Sequence, residues 1–292
     1  MADPFDALRR SFTPTRPRVH FAVSLRRRIL EELGMTMSDD LERTTTDHGR
    51  LALVHLGVPD ADRAMVFFGA LFGWQAERVL YQGHVNHYTL NTSVTVRLIG
   101  DPEAVAVRPN YRVADVAAAV DAIEAGGGRV TASEVAPDGG GWAQAEDDQG
   151  VPLLVHRPGG DYSHVAPSVD PTGDVGLVFV REDAPRAERF YGRVLGWQLE
   201  RSHPASNYFH AVARVGVFDE NAAFGTDEPA SVSFFVEVPA LRSAVAKLEE
   251  LGGTAGPLPT EPDMGPYFSV ECTDDRGTRF GLIATALDEA GG

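Results

Sequence analysis

Two histidines sit in short strand-like runs where an imidazole could do proton chemistry. His55 lies in Leu51–Val58 and His156 closes Pro152–His156. Strand side chains alternate between faces, so His55 shares a face with Leu53, and His156 shares one with Leu154. If those faces line one concave surface, the two rings can give or take a proton, or orient a bound molecule. Arg97 and Tyr111 are candidate neighbours, and Trp142, Tyr267 and Arg279 are candidate ligand contacts: aromatic rings and a cation at a cavity mouth suit flat organic molecules. His84, His87 and His210 read as edge residues, and Cys272 as a buried filler.

The elements that must position these residues come as a repeat. Asp60 and Phe67-Phe68-Gly69-Ala70-Leu71-Phe72-Gly73-Trp74 return as Asp183 and Phe190-Tyr191-Gly192-Arg193-Val194-Leu195-Gly196-Trp197. Such a repeat means two copies of one domain. Each copy divides again into two strand–helix–strand–strand–strand units. In the first copy a strand at Leu51–Val58 leads through the capping Asp60 to a helix that stops at Gly73, then to three strands. A second strand at Asn110–Val113 leads to a helix over Asp115–Ala125, and Asp147-Asp148-Gln149-Gly150 turns into the last strand. In the second copy the matching elements are Val175–Val180, the helix Asp183–Leu195, Val232–Val238, the helix Leu241–Leu251 and the turn Asp274-Asp275-Arg276-Gly277. The sequence therefore divides into an N-terminal arm and amphipathic helix (1–48), domain 1 (49–157), a Pro/Gly linker (158–173) and domain 2 (174–287). In the arm, Phe21, Leu25, Ile29 and Leu33 form an apolar stripe.

Composition narrows the function classes. The chain has 292 residues and a net charge of −16, so phosphate backbones are repelled and nucleic acid is not an expected partner. An acidic body favours a cationic ligand at long range. A single cysteine excludes an internal disulfide and a cysteine-based metal cluster. The absence of a membrane-spanning run and of an apolar leader points to a cytoplasmic protein with no membrane partner. Phosphate loops, serine-hydrolase elbows and nucleotide fingerprints are missing.

The paired helix signatures and the late Asp-Asp-x-Gly turns resemble the vicinal oxygen chelate superfamily, which includes glyoxalase I, bleomycin-resistance proteins and extradiol dioxygenases. The resemblance covers about residues 51–285. It implies an α+β chain of two tandem glyoxalase-like domains, each of two βαβββ units forming a half-open barrel, here with an N-terminal helical extension. Metal-using members carry a His or Gln seven residues before the capping Asp and a Glu four residues after the turn Gly. Here those places hold Leu53, Gly176, Leu154 and Gly281; the other first-strand places fall near Pro109 and Phe234, and Arg97 stands where a carboxylate is wanted. None of these binds a divalent ion in that manner. The expectation is a metal-free protein with no cofactor, binding a small organic molecule in a barrel cavity. The same expectation excludes a metal-dependent glyoxalase I or extradiol dioxygenase. The alternatives are a cofactor-independent isomerase, cyclase or lyase with His55 or His156 as acid or base, or a docking protein acting through the N-terminal helix. Two fused copies can pair internally, so a monomer is expected, or a homodimer joined through that helix. By the repeat offset, Val178 occupies the His55 place in copy two and Ile283 the His156 place, so at most one cavity works.

Overall fold

The computed structural model describes residues 48–287, except 82, 102–106, 158–172, 203, 205, 214, 215, 227, 228, 265 and 266. The expected N-terminal helix and its Phe21–Leu33 stripe lie outside the described residues.

Two eight-stranded sheets and four helices make up the described fold. In domain 1, β1 (Leu51–Val58), α1 (Ala61–Phe72), β2 (Ala76–Tyr81), β3 (His84–Thr89) and β4 (Thr95–Gly100) form the first unit. The second is β5 (Val107–Arg112), α2 (Val116–Ala125), β6 (Arg129–Val135), β7 (Gly141–Glu146) and β8 (Pro152–Arg157). The strand order is β2-β3-β4-β1-β5-β8-β7-β6, so the two units meet at the antiparallel β1/β5 pair. Domain 2 repeats this order. Its elements are β9 (Val175–Glu182), α3 (Ala184–Leu195), β10 (Gln198–Arg201), β11 (Tyr208–Ala213) and β12 (Gly216–Gly225), then β13 (Ser231–Glu237), α4 (Leu241–Glu250), β14 (Thr254–Ala255), β15 (Phe268–Thr273) and β16 (Arg279–Ala284). Among the described residues, no helix is long and apolar enough to cross a membrane.

The repeated signature turns out to join the domains. Asp60 and Asp183 cap α1 and α3 by accepting from the backbone N–H of Arg63 and Arg186, at 3.0 and 2.8 Å. Each helix ends at a left-handed glycine, Gly73 or Gly196. The following tryptophans reach the opposite domain's edge. Trp74 Nε1 donates to Gly173 O at 2.5 Å, and Trp197 Nε1 donates to Gly49 O at 2.9 Å. Gly173 and Gly49 both have φ near +80°, and a Cβ on either would lie 2.7 Å from Phe72 O or 2.3 Å from Leu195 O. Arg63 Nε meets Asp275 at 2.8 Å, and Arg186 Nε meets Asp148 at 3.0 Å. Each Asp belongs to the Asp-Asp turn of the other domain. These ion pairs are partly exposed and weak. The larger contribution is aromatic: Phe68 and Phe72 pack edge-on against Phe280, and Tyr191 stacks on Trp197 beside Tyr111.

The two halves of this junction differ in polarity. Around Phe280 it is apolar. Around Tyr191 it holds two buried carboxyls, Asp147 and Glu182. Tyr191 Oη donates to Asp147 at 3.0 Å and Gln149 Nε2 donates to Glu182 at 2.6 Å. Burial first, then the nearby Asp147, pushes Glu182 up to about 10. Glu182 is therefore neutral in the fold and ionised in the unfolded chain at neutral pH.

Two outcomes follow for stability. Phe280→Ala should cost about 3–5 kcal/mol in denaturant unfolding, because it opens a cavity between the domains. A raised folded pKa contributes stability that is complete below the unfolded value of 4.5 and is lost as pH rises towards about 10. Glu182→Gln should abolish this term, flattening unfolding free energy over that window by up to about 1.4 kcal/mol per pH unit.

Candidate functional site

The helix-packed face of each sheet takes one set of alternate strand residues, and the opposite set lines the concave side. In domain 1, Val54, Leu56 and Val58 of β1 enter the common core, as do Leu153 and Val155 of β8. His55 and His156 are left on the other face.

Strand register arranges that face in rows, since directly paired residues share a face. The first row runs Tyr88, Arg97, His55, Arg108 across β3, β4, β1 and β5. Next comes Leu53, Asn110, Leu154, Gln144. A third row holds Arg112, His156 and Trp142. Four sequence-predicted residues, His55, His156, Arg97 and Trp142, therefore stand on one surface.

Their environments are specific. His156 Nδ1 lies 2.6 Å from Asn110 Oδ1. A neutral ring donating there keeps Nε2 as an acceptor. Arg97 Nε donates to Asn86 Oδ1 at 3.1 Å, and its guanidinium lies 5.2 Å from the ring centres of both Tyr81 and Tyr88. Trp142 Nε1 donates to Glu134 at 3.3 Å. Arg108 is half-buried, and its Nε is buried without a hydrogen-bond partner. His55 is 7% exposed. Burial, followed by the charges of Arg97 and Arg108, lowers it to about 3. Burial and Arg112 lower His156 to about 4.

Two expectations need correction, and a third residue stands apart. Tyr111 is not on this face. It is fully buried on the helix side, edge-on to Trp197, because the face is carried by its neighbours Asn110 and Arg112. Tyr267 packs against an apolar cluster of Leu177, Phe179, Tyr208, Ala222, Phe235, Met264 and Ile283, so it belongs to the filling of domain 2's concave side. Arg279 is exposed and, with Arg276, borders an interdomain groove of about 360 Å³ that also touches Pro59, Val107 and Pro152. It belongs to the sheet of domain 2, not to that of the histidines.

The counterpart of His55 also changes. Val178 is in the helix-side core, and Phe179 takes the place of His55. The reason is one residue: Pro59 separates β1 from Asp60, whereas β9 runs directly into Asp183. Matching rows in domain 2 read Ala222, Phe179, Ser233 and then Leu177, Phe235, Gly281. Phenylalanine thus replaces His55 and Asn110, alanine replaces Arg97, and serine replaces Arg108. Ile283 does stand at the His156 position.

Arg108, Asn110 and Arg112 were missed by sequence reasoning. Their signal was the alternation Arg108-x-Asn110-x-Arg112, which shows once β5 is seen to begin at Val107 rather than Asn110. Cys272 is buried and its thiol is pushed up to about 12 by burial and by Glu271, which suits a filler and not a nucleophile. His84 lies at a strand edge with Nδ1 3.1 Å from Gly100 O, His87 faces α1 through Asp62, and His210 rests against Tyr208.

Residues 168–282 match the Glyoxalase/Bleomycin resistance protein/Dioxygenase superfamily. The match covers the second domain, and the first domain repeats its strand order. Among solved structures, the chain is similar to the Mn(II)-bound glyoxalase from Novosphingobium aromaticivorans, with 16% identity over 83% of this chain and 84% of that one, and a TM-score of 0.56. An extradiol ring-cleaving dioxygenase from B. fuscum gives 18% identity over 84% and 75%, with a TM-score of 0.59. A catechol 2,3-dioxygenase gives 15% identity over 82% and 89%, with a TM-score of 0.51. No curated protein matches the sequence. Identities this low establish the shared fold alone.

Does the metal that such a fold can hold suit these residues? Among the described residues, no group of three or more His, Cys, Asp or Glu is placed to hold an ion. On the domain 1 face, His55 and His156 are accompanied by three arginines, which repel a divalent cation. The described residues of this face do not form a divalent-metal site.

Lowered histidine pKa values have a sign that can be checked. Both rings stay neutral in the fold while the unfolded chain protonates below 6.5, so their contribution is present above 6.5 and is lost as pH falls towards about 4 and about 3. Ring NMR should show neither His55 nor His156 titrating between about pH 5 and 8, where an ordinary exposed histidine does.

Proposed function

We propose that this chain binds a small organic molecule on the concave face of domain 1, without a divalent metal, in the manner of a bleomycin-resistance-like binding protein. The observation that supports this most is the contrast between the two faces. Domain 2 fills its own with Phe179, Tyr208, Phe235, Met264 and Ile283. Domain 1 keeps polar side chains in the same rows: Arg97, Arg108, His156 and Trp142 are partly accessible, and His55 and Asn110 are buried among them. Polar groups gathered on a partly covered face are costly unless something uses them. On this reading domain 2 acts as a built-in partner for domain 1, and the protein works as a cytoplasmic monomer.

The alternative of a cofactor-independent isomerase, cyclase or lyase is favoured by one detail. Asn110 fixes the Nδ1 side of His156, which leaves a neutral nitrogen oriented for proton transfer.

A thermal-shift screen of small metabolites on chelator-treated protein tests the binding reading. A ligand at about 100 times its Kd should stabilise the chain by about 2.7 kcal/mol. Asn110→Leu should abolish the effect, and Ser233→Ala in domain 2 should leave it intact. Stoichiometric Zn, Ni or Fe surviving chelation, or ligands indifferent to Asn110→Leu, would count against it. Turnover that disappears in His156→Gln while ligand stabilisation persists would select the enzymatic reading.

A further inference from the structure

The protein as a whole is strongly acidic, yet the concave face of domain 1 has the opposite sign. Arg97, Arg108 and Arg112 project onto it from β4 and β5, with His55 between Arg97 and Arg108 and His156 beside Arg112. Three acids border it: Glu146 on β7 is paired with Arg129 at 2.8 Å and its charge also reaches Arg108, Glu134 is bonded to Trp142, and Glu77 sits at the far end of the first row. In domain 2 the places of Arg97 and Arg108 hold Ala222 and Ser233, Glu237 and Glu271 extend the rows, and Arg181 on that face lies over Phe179 and is paired with Glu271. The cationic face is therefore a property of one domain and not of the fold.

We propose that the ligand of this face is an anion, a carboxylate or phosphoryl oxyanion on a small organic molecule, taken directly by Arg108 with His55 beside it and no bridging metal. The inference rests on the binding reading above and names the ligand's chemistry. Four observations carry it. Arg108 presents a buried Nε that lacks an acceptor, in the same row as His55, and a guanidinium fork matches a planar or tetrahedral oxyanion. Arg97 is already oriented by Asn86, Tyr81 and Tyr88, so its charge is fixed before a ligand arrives. Between them, His55 is held neutral by burial and by these charges; an anion placed among them offsets that repulsion and draws a proton onto the ring. Trp142, two rows over, offers a flat apolar surface for the ligand's body.

Long-range repulsion from the acidic body does not decide the matter. Exposed charges beyond about 8–10 Å are screened at physiological salt, while the face acts at contact distance. The same repulsion excludes large polyanions, leaving a small anion. Proton uptake links affinity to pH. The charged or titratable groups facing His55 are Arg97 on β4, Arg108 and Arg112 on β5, His156 on β8, Glu146 on β7 and Tyr88 on β3. Both histidines gain protons as pH falls, so anion affinity should rise from neutral pH downwards.

The test uses the full chain, histidine-ring NMR, and three probes at constant ionic strength: benzoate, phenyl phosphate and the uncharged benzamide. The expected result is saturable movement of the His55 and His156 ring signals by at least one of the anions, with benzamide about tenfold weaker or worse. His55 should titrate at higher pH in the bound state. Which anion binds tighter tells carboxylate from phosphoryl. Arg108→Met should lose about tenfold or more for the anion, and Arg97→Gln serves as the second variant should Arg108→Met fail to fold. If benzamide binds as well as the anions and Arg108→Met changes nothing, the face binds ligands but the anion assignment is wrong. If no probe moves either ring at tens of millimolar, the binding reading fails with it.

Discussion

Everything at the candidate site depends on one packing constraint: the helix-covered sides of the two sheets form a single apolar core that must exclude water. Because strand side chains alternate, committing Val54, Leu56 and Val58 to that core obliges Leu53, His55 and Gly57 to the other face. The same holds for Pro109 and Tyr111 against Arg108, Asn110 and Arg112 on β5. A slip of one residue would bury two arginines in the core at a cost no local contact offsets. The polar face is thus enforced from behind, by Phe68, Phe72, Phe280, Tyr191 and Trp197 at the junction of the domains.

That junction explains why the repeat persists where the faces have diverged. Asp60, Gly73, Trp74 and their partners Asp183, Gly196, Trp197 set helix ends and cross-domain hydrogen bonds. Both copies need them equally. The concave faces carry no such shared duty. One has become an aromatic filling that stabilises its own domain; the other keeps cations and imidazoles that contribute little to stability and cost desolvation. The superfamily fold is common to both, so chemistry must be read from the side chains present.

Much of this was legible in the sequence. The strand–helix–strand order, the capping aspartates and the glycine stops follow from local rules, and they gave the tandem domains. Placing His55, His156, Arg97 and Trp142 together needed only alternation. The failures have a physical cause in the same alternation. Tyr111 counts as a neighbour of the histidines only while no face is worked out for β5, whose pairing gives that face to Arg108, Asn110 and Arg112. The Val178 comparison failed because one residue, Pro59, lengthens the approach to the α1 cap in one copy only. Tyr267 was an aromatic near a cavity, but whether such a ring lines space or fills it depends on long-range neighbours such as Phe179 and Met264, which no local pattern reveals.

The most direct test of the account is a crystal soaked in para-bromobenzoate and measured for anomalous scattering from bromine. The account predicts a carboxylate against Arg108 and His55, with bromine on the Trp142 side of domain 1 and no peak on the concave face of domain 2. Bromine seated among Phe179 and Phe235, or a metal ion coordinated beside His55 and His156, would contradict it.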